Sequence, residues 1–199
     1  MLETFDRSLF QAMKASADLA GVAMNASRSI ADLVIFAAPA ILVLLWMFGS
    51  RGDRRAAVGA AFAATAGLTT SAIVSALYFH PRPFMDGVSP NFLHHVADSS
   101  FPSDHATVLF ALAFSLWLAR LRATRWAGAI LLMAALAVGW ARVFLGAHYP
   151  LDILGGAGIG FAFAAIFAIN PLRRGVERFS DLADRAYFAL GAALVRRAR

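Results

Sequence analysis

Five apolar stretches of near membrane-spanning length constrain this chain more than any other feature it has. A helix crossing the hydrocarbon core of a bilayer needs about 20 mostly apolar residues. Stretches 30–49, 56–79, 104–119, 126–145 and 151–169 meet or approach that length, the third being the shortest. The 199 residues are 60% hydrophobic and only 15% charged, with a mean hydropathy of +0.66. A soluble domain of this size has no interior able to hide that much apolar surface. The sequence therefore predicts an all-α integral membrane protein, a bundle of about five transmembrane helices.

Each stretch ends at a recognisable stop. The first gives way to Ser50-Arg51-Gly52-Asp53-Arg54-Arg55, and the second stops before His80-Pro81-Arg82-Pro83, whose prolines forbid a continuing helix. Arg120, Arg122 and Arg125 divide the third from the fourth, and Pro150 suits the first turn of the fifth. The third is expected to begin inside protein rather than lipid. Gly156-x3-Gly160 reads as close helix packing, because no strand precedes it to make a nucleotide loop.

Two amphipathic segments flank this core. Leu2, Phe5, Leu9 and Met13 recur at helical spacing within 1–28, as do Val176, Phe179, Leu182, Ala186, Leu190 and Leu194 within 171–199. Both are expected to lie on the membrane or cap the bundle. No repeat or low-complexity linker divides the chain, so 1–199 reads as a single domain with its core at 30–170. Glu3, Asp6 and Asp18 interrupt the first 28 residues, and no cleavable leader is expected.

The formal charge of +6 comes from arginines scattered through short loops, which is no nucleic-acid surface. Thirteen of the 18 basic residues fall in 50–55, 120–125 and the tail after 170. The positive-inside rule places those stretches in the cytoplasm and the N-terminus outside. All five histidines (His80, His94, His95, His105 and His148) then fall on the outer side. Trp117, Trp126, Trp140 and Tyr149 near the stretch ends read as interface anchors. The absence of cysteine excludes disulfides, thiolate metal sites and a cysteine nucleophile.

Ionisable residues at span ends need a reason, since they are costly near a bilayer and usually functional. Arg82 and Arg142 offer forked donors suited to phosphate oxygens. Ser103 is placed to cap the third helix, whose start carries partial positive charge. His148 and Asp152 are four apart, so a helix beginning nearby lets the carboxylate orient the imidazole. An oriented neutral imidazole is a nucleophile, and a second histidine such as His105 can protonate a leaving oxygen. These are the parts of phosphoryl transfer through a phosphohistidine, with no cofactor and no metal required.

The stretches His80-Pro81-Arg82-Pro83-Phe84, Phe101-Pro102-Ser103-Asp104-His105 and Arg142-x5-His148-Tyr149-Pro150-Leu151-Asp152 resemble, in order, the three motifs of the type 2 phosphatidic acid phosphatase family of membrane lipid phosphatases. The spelling is most similar to the bacitracin-resistance branch, which dephosphorylates undecaprenyl diphosphate. The resemblance implies a polyprenyl diphosphate substrate and an enzyme of a bacterial inner membrane. It also implies that His148 attacks the terminal phosphorus, Asp152 orients it and His105 protonates the departing lipid phosphate. Arg82, Ser103 and Arg142 would hold the phosphoryl oxygens.

Three positions depart from the family pattern: Ser75 stands where a lysine is usual, Asp104 where a glycine is usual and Ala141 where a serine is usual. Ser75 and Asp104, with His94 and His95 in the outer loop, are further candidates for tuning the site. His94, His95 and Asp98 read first as solvated loop residues. The motifs leave open phosphatidylglycerophosphate, phosphatidic acid or lipid A as substrate, and phosphotransfer in place of hydrolysis. A transporter or flippase with vestigial motifs would need polar residues in mid-span, of which the five stretches hold few.

Overall fold

A computed structural model describes the backbone of residues 1–197 and the side chains of residues 1–169 and 171–189. The expected Leu190 and Leu194 side chains, and the last two residues of the tail, lie outside that description. The described chain is helical: α1 (Leu2–Met13), α2 (Gly21–Leu33), α3 (Ala37–Phe48), α4 (Arg51–Leu77), α5 (Asp104–Leu118), α6 (Arg122–Phe144), α7 (Pro150–Ala168) and α8 (Asn170–Arg197). A 3-10 turn at Val34–Phe36 joins α2 to α3 into one apolar run, Gly21–Phe48. That run, α4, α6 and α7 are each long and apolar enough to cross a membrane.

The first span begins at Gly21 rather than at residue 30. Asn25, Ser27 and Arg28 break the apolar run in sequence, yet the helix continues through them with Met24, Ser27 and Ala31 turned to the protein. Boundaries of the remaining spans fall within a few residues of their sequence positions, and local chemistry explains why. Ser50 and Asp53 close a reciprocal capping box that starts α4 five residues before residue 56. Ser103 caps α5, and Asp152 caps α7, where Pro150 takes the first turn, by accepting from Tyr149 N.

α5 is the axis of the bundle. At 15 residues it is about 22 Å long, too short to cross a bilayer core alone. Eight of its side chains are buried, and α4, α6 and α7 enclose it. Lipid tails are as apolar as leucine, so close packing rather than water exclusion holds such helices together. A methyl group at Gly156 would lie 2.7 Å from Ser103 O, and one at Gly160 would lie 2.6 Å from Ala111 N. The small-residue pattern in α7 therefore sets backbone against backbone along α5.

The two terminal helices face the opposite way from a soluble amphipathic helix. In α1 the expected apolar residues Leu2, Phe5 and Leu9 are exposed, while Asp6 and Phe10 are buried. In α8 Phe179 and Leu182 are exposed, while Ser180 and Asp184 are buried. The periphery of a membrane protein meets lipid, so apolar residues belong outside and the polar ones seek partners in the bundle. α1 sits at the end of the bundle that carries the histidines, with Asp6 accepting from Leu151 N at 2.9 Å. α8 sits at the arginine-rich end, where Asp181 and Asp184 pair with Arg55 and Arg54 at 2.8 and 2.9 Å.

Candidate active site

Chain reversals bring four helix ends together: the C-termini of α4 and α6 and the N-termini of α5 and α7. Loop 78–103 folds over this end. Ser103 N donates to Asp152 O at 3.0 Å, which fixes the start of α5 against the start of α7. Ser75, where the family usually has lysine, donates to Phe101 O at 3.0 Å and so braces the loop.

His148 lies in the turn between α6 and α7, only 2% exposed. Its Nδ1 is 2.9 Å from the Ser100 carbonyl, an acceptor, so Nδ1 carries the proton. Arg82 Nη1, a donor, approaches Nε2 at 3.3 Å, so Nε2 presents its lone pair. Two independent contacts thus select the same tautomer. Burial, opposed by the Asp152 carboxylate and aided by the Arg142 charge, holds this imidazole down at about 4. It is neutral at pH 7, as a nucleophile must be.

Asp152 does not take the Nδ1 hydrogen bond that the spacing suggested. Its Oδ2 accepts from Tyr149 N at 2.7 Å as part of the α7 cap, and stands 3.5 Å from His148 Nδ1. The carboxylate supplies charge beside the ring, while the Ser100 carbonyl supplies the bond. Asp152 Oδ1 is buried without a hydrogen-bond partner among the described residues.

Arg82 is held from several sides. Its Nε meets Asp98 at 2.8 Å, Nη1 also donates to Ala147 O at 2.9 Å and Nη2 to Ser99 O at 3.1 Å. Arg142, 2% exposed at the end of α6, donates weakly to Ala31 O at 3.4 Å and lies 3.8 Å from Asp32. Its Nε is buried with no hydrogen-bond partner among the described residues, a donor free to meet an acceptor. His105, on the first turn of α5, makes no hydrogen bond or ion pair among the described residues, and it lies among Arg142, His148, His95 and Arg82. Ser103 is fully buried, its Oγ accepting from Ala106 N at 3.5 Å.

The acid at Asp104 turns away from this centre, its Oδ1 accepting from Ser71 of α4 at 2.6 Å. In the outer loop, His94 is exposed and its side chain makes no hydrogen bond or ion pair among the described residues, with a left-handed φ of 51°. His95 is half-buried, and burial followed by the Arg82 charge pushes it below the usual histidine range. Asp98 engages the site through Arg82 and, at 3.7 Å, His95, and the His95 ring meets His148 edge-on with centroids 6.5 Å apart.

Sequence reasoning missed four residues here. Ser100 holds both His148, through its carbonyl, and His80, through its hydroxyl at 2.8 Å. Asp86 accepts from the Tyr149 hydroxyl at 2.8 Å and from Arg7 of α1 at 2.9 Å. Asp6 caps α7 from α1, and His80 stands 3.4 Å from Asp152 Oδ1. Backbone acceptors and long-range docking leave no sequence signal; only His80, inside a motif, could have been suspected.

The PAP2 superfamily model matches residues 56–175, which contain all four of the helix ends that meet at the site. The chain is 42% identical over 158 residues to the Escherichia coli protein named "Putative undecaprenyl-diphosphatase YbjG", covering 78% of this chain and 77% of that one. It is 35% identical over 165 residues to undecaprenyl-diphosphatase BcrC of Bacillus subtilis, covering 81% and 80%. Among solved structures, the transmembrane PAP2 type phosphatidylglycerolphosphate phosphatase of Bacillus subtilis is similar with a TM-score of 0.63 and 18% identity, covering 90% of this chain and 86% of that one. At that identity the likeness speaks for the fold.

Proposed function

The chain belongs to the PAP2 superfamily, and from that premise we propose that it removes the terminal phosphate of undecaprenyl diphosphate at the outer face of a bacterial inner membrane. It is a membrane-embedded lipid phosphatase, and the proposal concerns its substrate, mechanism and orientation. The names of the two relatives support the substrate. The observation that carries the mechanism is the tautomer of His148: Nδ1–H committed to the Ser100 carbonyl, Nε2 turned to Arg82.

In this reading Nε2 attacks the terminal phosphorus and forms a P–N bond. The bond from that phosphorus to the bridging oxygen breaks, and the oxygen leaves on the lipid monophosphate with a proton from His105. Water then attacks the phosphohistidine, gives its proton to His105, and inorganic phosphate departs with His148 regenerated. Arg82, the unpartnered Nε of Arg142, Ser103 and the start of α5 offset the charge that develops on the phosphoryl oxygens. Both guanidiniums are already held by the fold, so little reorganisation is needed when that charge appears.

The test is phosphate release by the purified protein from undecaprenyl diphosphate, phosphatidic acid and phosphatidylglycerophosphate in parallel, with and without chelator. Release should be fastest from undecaprenyl diphosphate and indifferent to chelator. An acid-labile phosphoprotein should be trapped in the native protein and absent from His148→Ala. Faster release from another lipid would reassign the substrate, and an active His148→Ala would remove the nucleophile.

A further inference from the structure

Asp152 divides its two oxygens between two histidines. Oδ2 caps α7 and faces His148, while the buried Oδ1 lacks a hydrogen bond and has His80 Nδ1 3.4 Å away. That Nδ1 is also 2.8 Å from Ser100 Oγ, whose own hydrogen points to Pro81 O at 3.4 Å. The hydroxyl therefore accepts, and His80 Nδ1 is a donor shared between Ser100 and Asp152. The ring is held in place by the parallel Tyr78 at 6.2 Å and the edge of Tyr149 at 5.5 Å. Its side chain is 22% exposed, so unlike His148 it can exchange a proton with water.

We propose that His80 is a positioning residue for the phosphoryl-transfer site: its Nδ1–H holds Asp152 Oδ1, so that the carboxylate stays beside His148 while Ser100 links the two histidines. This rests on the reading of His148 as nucleophile. The fit is chemical as well as spatial. A lone carboxylate buried next to a neutral imidazole is unstable and tends to draw that ring's proton. A second donor on the far oxygen removes the incentive and leaves the charge available when His148 becomes cationic on bonding to phosphorus.

The groups facing His80 agree with this assignment. Asp152 of α7, Asp6 of α1 and Asp86 of the loop surround it, and the Asp152 contact, against the opposing effect of burial, raises its pKa above the ordinary histidine value. The protonated form therefore persists to higher pH than in an ordinary histidine and is lost as pH rises through that raised value.

The test compares His80→Phe and His80→Asn with the native protein, reading kcat and KM for phosphate release between pH 5 and 9. Phenylalanine keeps the ring packing on Tyr78 and Tyr149 but has no donor; asparagine restores a donor near the Nδ1 position that does not titrate. Loss of orienting partners behind a functional group typically costs about 10- to 100-fold. His80→Phe should therefore lower kcat by that factor with KM within about 3-fold. His80→Asn should recover most of kcat and lose the alkaline limb. Native kcat and pH profile in His80→Phe would overturn the proposal, as would His80→Asn no better than His80→Phe. His148→Ala run alongside separates the layers: if it is inactive while His80→Phe is native-like, only the role of His80 fails, and if it is active, the nucleophile fails first.

Discussion

At the scale of single residues, the site is built from partners that compete with its substrate. Arg82 is paired with Asp98, whose side chain is 56% exposed and must yield to any phosphate that Arg82 binds through Nε. Exposed ion pairs are worth about 0–1 kcal/mol, up to about 5-fold in an equilibrium. Asp98→Asn is expected to lower KM for the lipid diphosphate by about 2- to 5-fold with kcat nearly unchanged; an unchanged or raised KM would mean that Asp98 orients Arg82 rather than occupying it. His148 offers a pH prediction whose sign follows from its environment. In the proposed mechanism the neutral ring attacks, and burial holds it neutral down to about 4 instead of the ordinary value near 6.5. Phosphoenzyme formation in rapid-quench experiments should then persist well below pH 6 and fall only toward pH 4, whereas a limb near 6.5 would point to a more solvated nucleophile. The motifs made the identities of His105, Arg142, His148 and Asp152 legible in the sequence. What they could not give was the sharing of bonds, because Ser100 acts through a carbonyl and Asp152 is already spent on capping its own helix.

At the scale of elements, helix ends were readable and helix contacts much less so. Capping residues and prolines sit where Ser50, Ser103 and Pro150 announce them, because the orphan amides of a helix start demand local chemistry. The entry of the first span at Gly21 was hidden, since Asn25, Ser27 and Arg28 interrupt the apolar run although the helix continues through them. The docking of α1 was also hidden: Phe10 is fully buried against Tyr149 with ring centroids 5.2 Å apart, but hydropathy marked its exposed neighbours instead. α1 therefore buttresses the same turn that carries His148, and Phe10→Ala is expected to cost about 3–5 kcal/mol where relaxation is small. Thermal unfolding in detergent should show it, together with a loss of phosphatase activity. The α5–α7 seam predicts a comparable effect by the opposite route. Gly160→Val places methyl groups against Ala111 N and Thr107 O, and overpacking of this kind costs about 1–3 kcal/mol or more. A native melting temperature for Gly160→Val would mean that the two helices can separate without penalty.

At the scale of the whole molecule, the two ends of the bundle have different chemistries, and the orientation turns on which end faces the cytoplasm. One end gathers the histidines, Arg82 and α1; the other gathers Arg51, Arg54, Arg55, Arg120, Arg122 and Arg125, with α8 paired to the first three. α1 and α8 lie at opposite ends, as an odd number of crossings requires. The α8 end is tied by charge, and the Arg55 hydrogen bond holds the Asp181 carboxyl below the usual carboxylate range. Because that folded value is depressed, the stabilisation is present above the ordinary value of 3.8 and fades as pH falls through the folded one. α8 is thus secured at neutral pH on whichever side it lies, so charge pairing alone does not choose the side. The proposed orientation, with the α8 end in the cytoplasm, rests instead on the arginine excess and the cost of translocating basic loops. The chain has no cysteine, so a single introduced thiol reports its own side without background. Asp18→Cys, exposed just beyond α1, should react with a membrane-impermeant maleimide in intact cells. Arg122→Cys, exposed at the start of α6, should react only after permeabilisation. The reverse pattern would place the histidine pocket in the cytoplasm, and an enzyme acting on the outer leaflet could not then be this one.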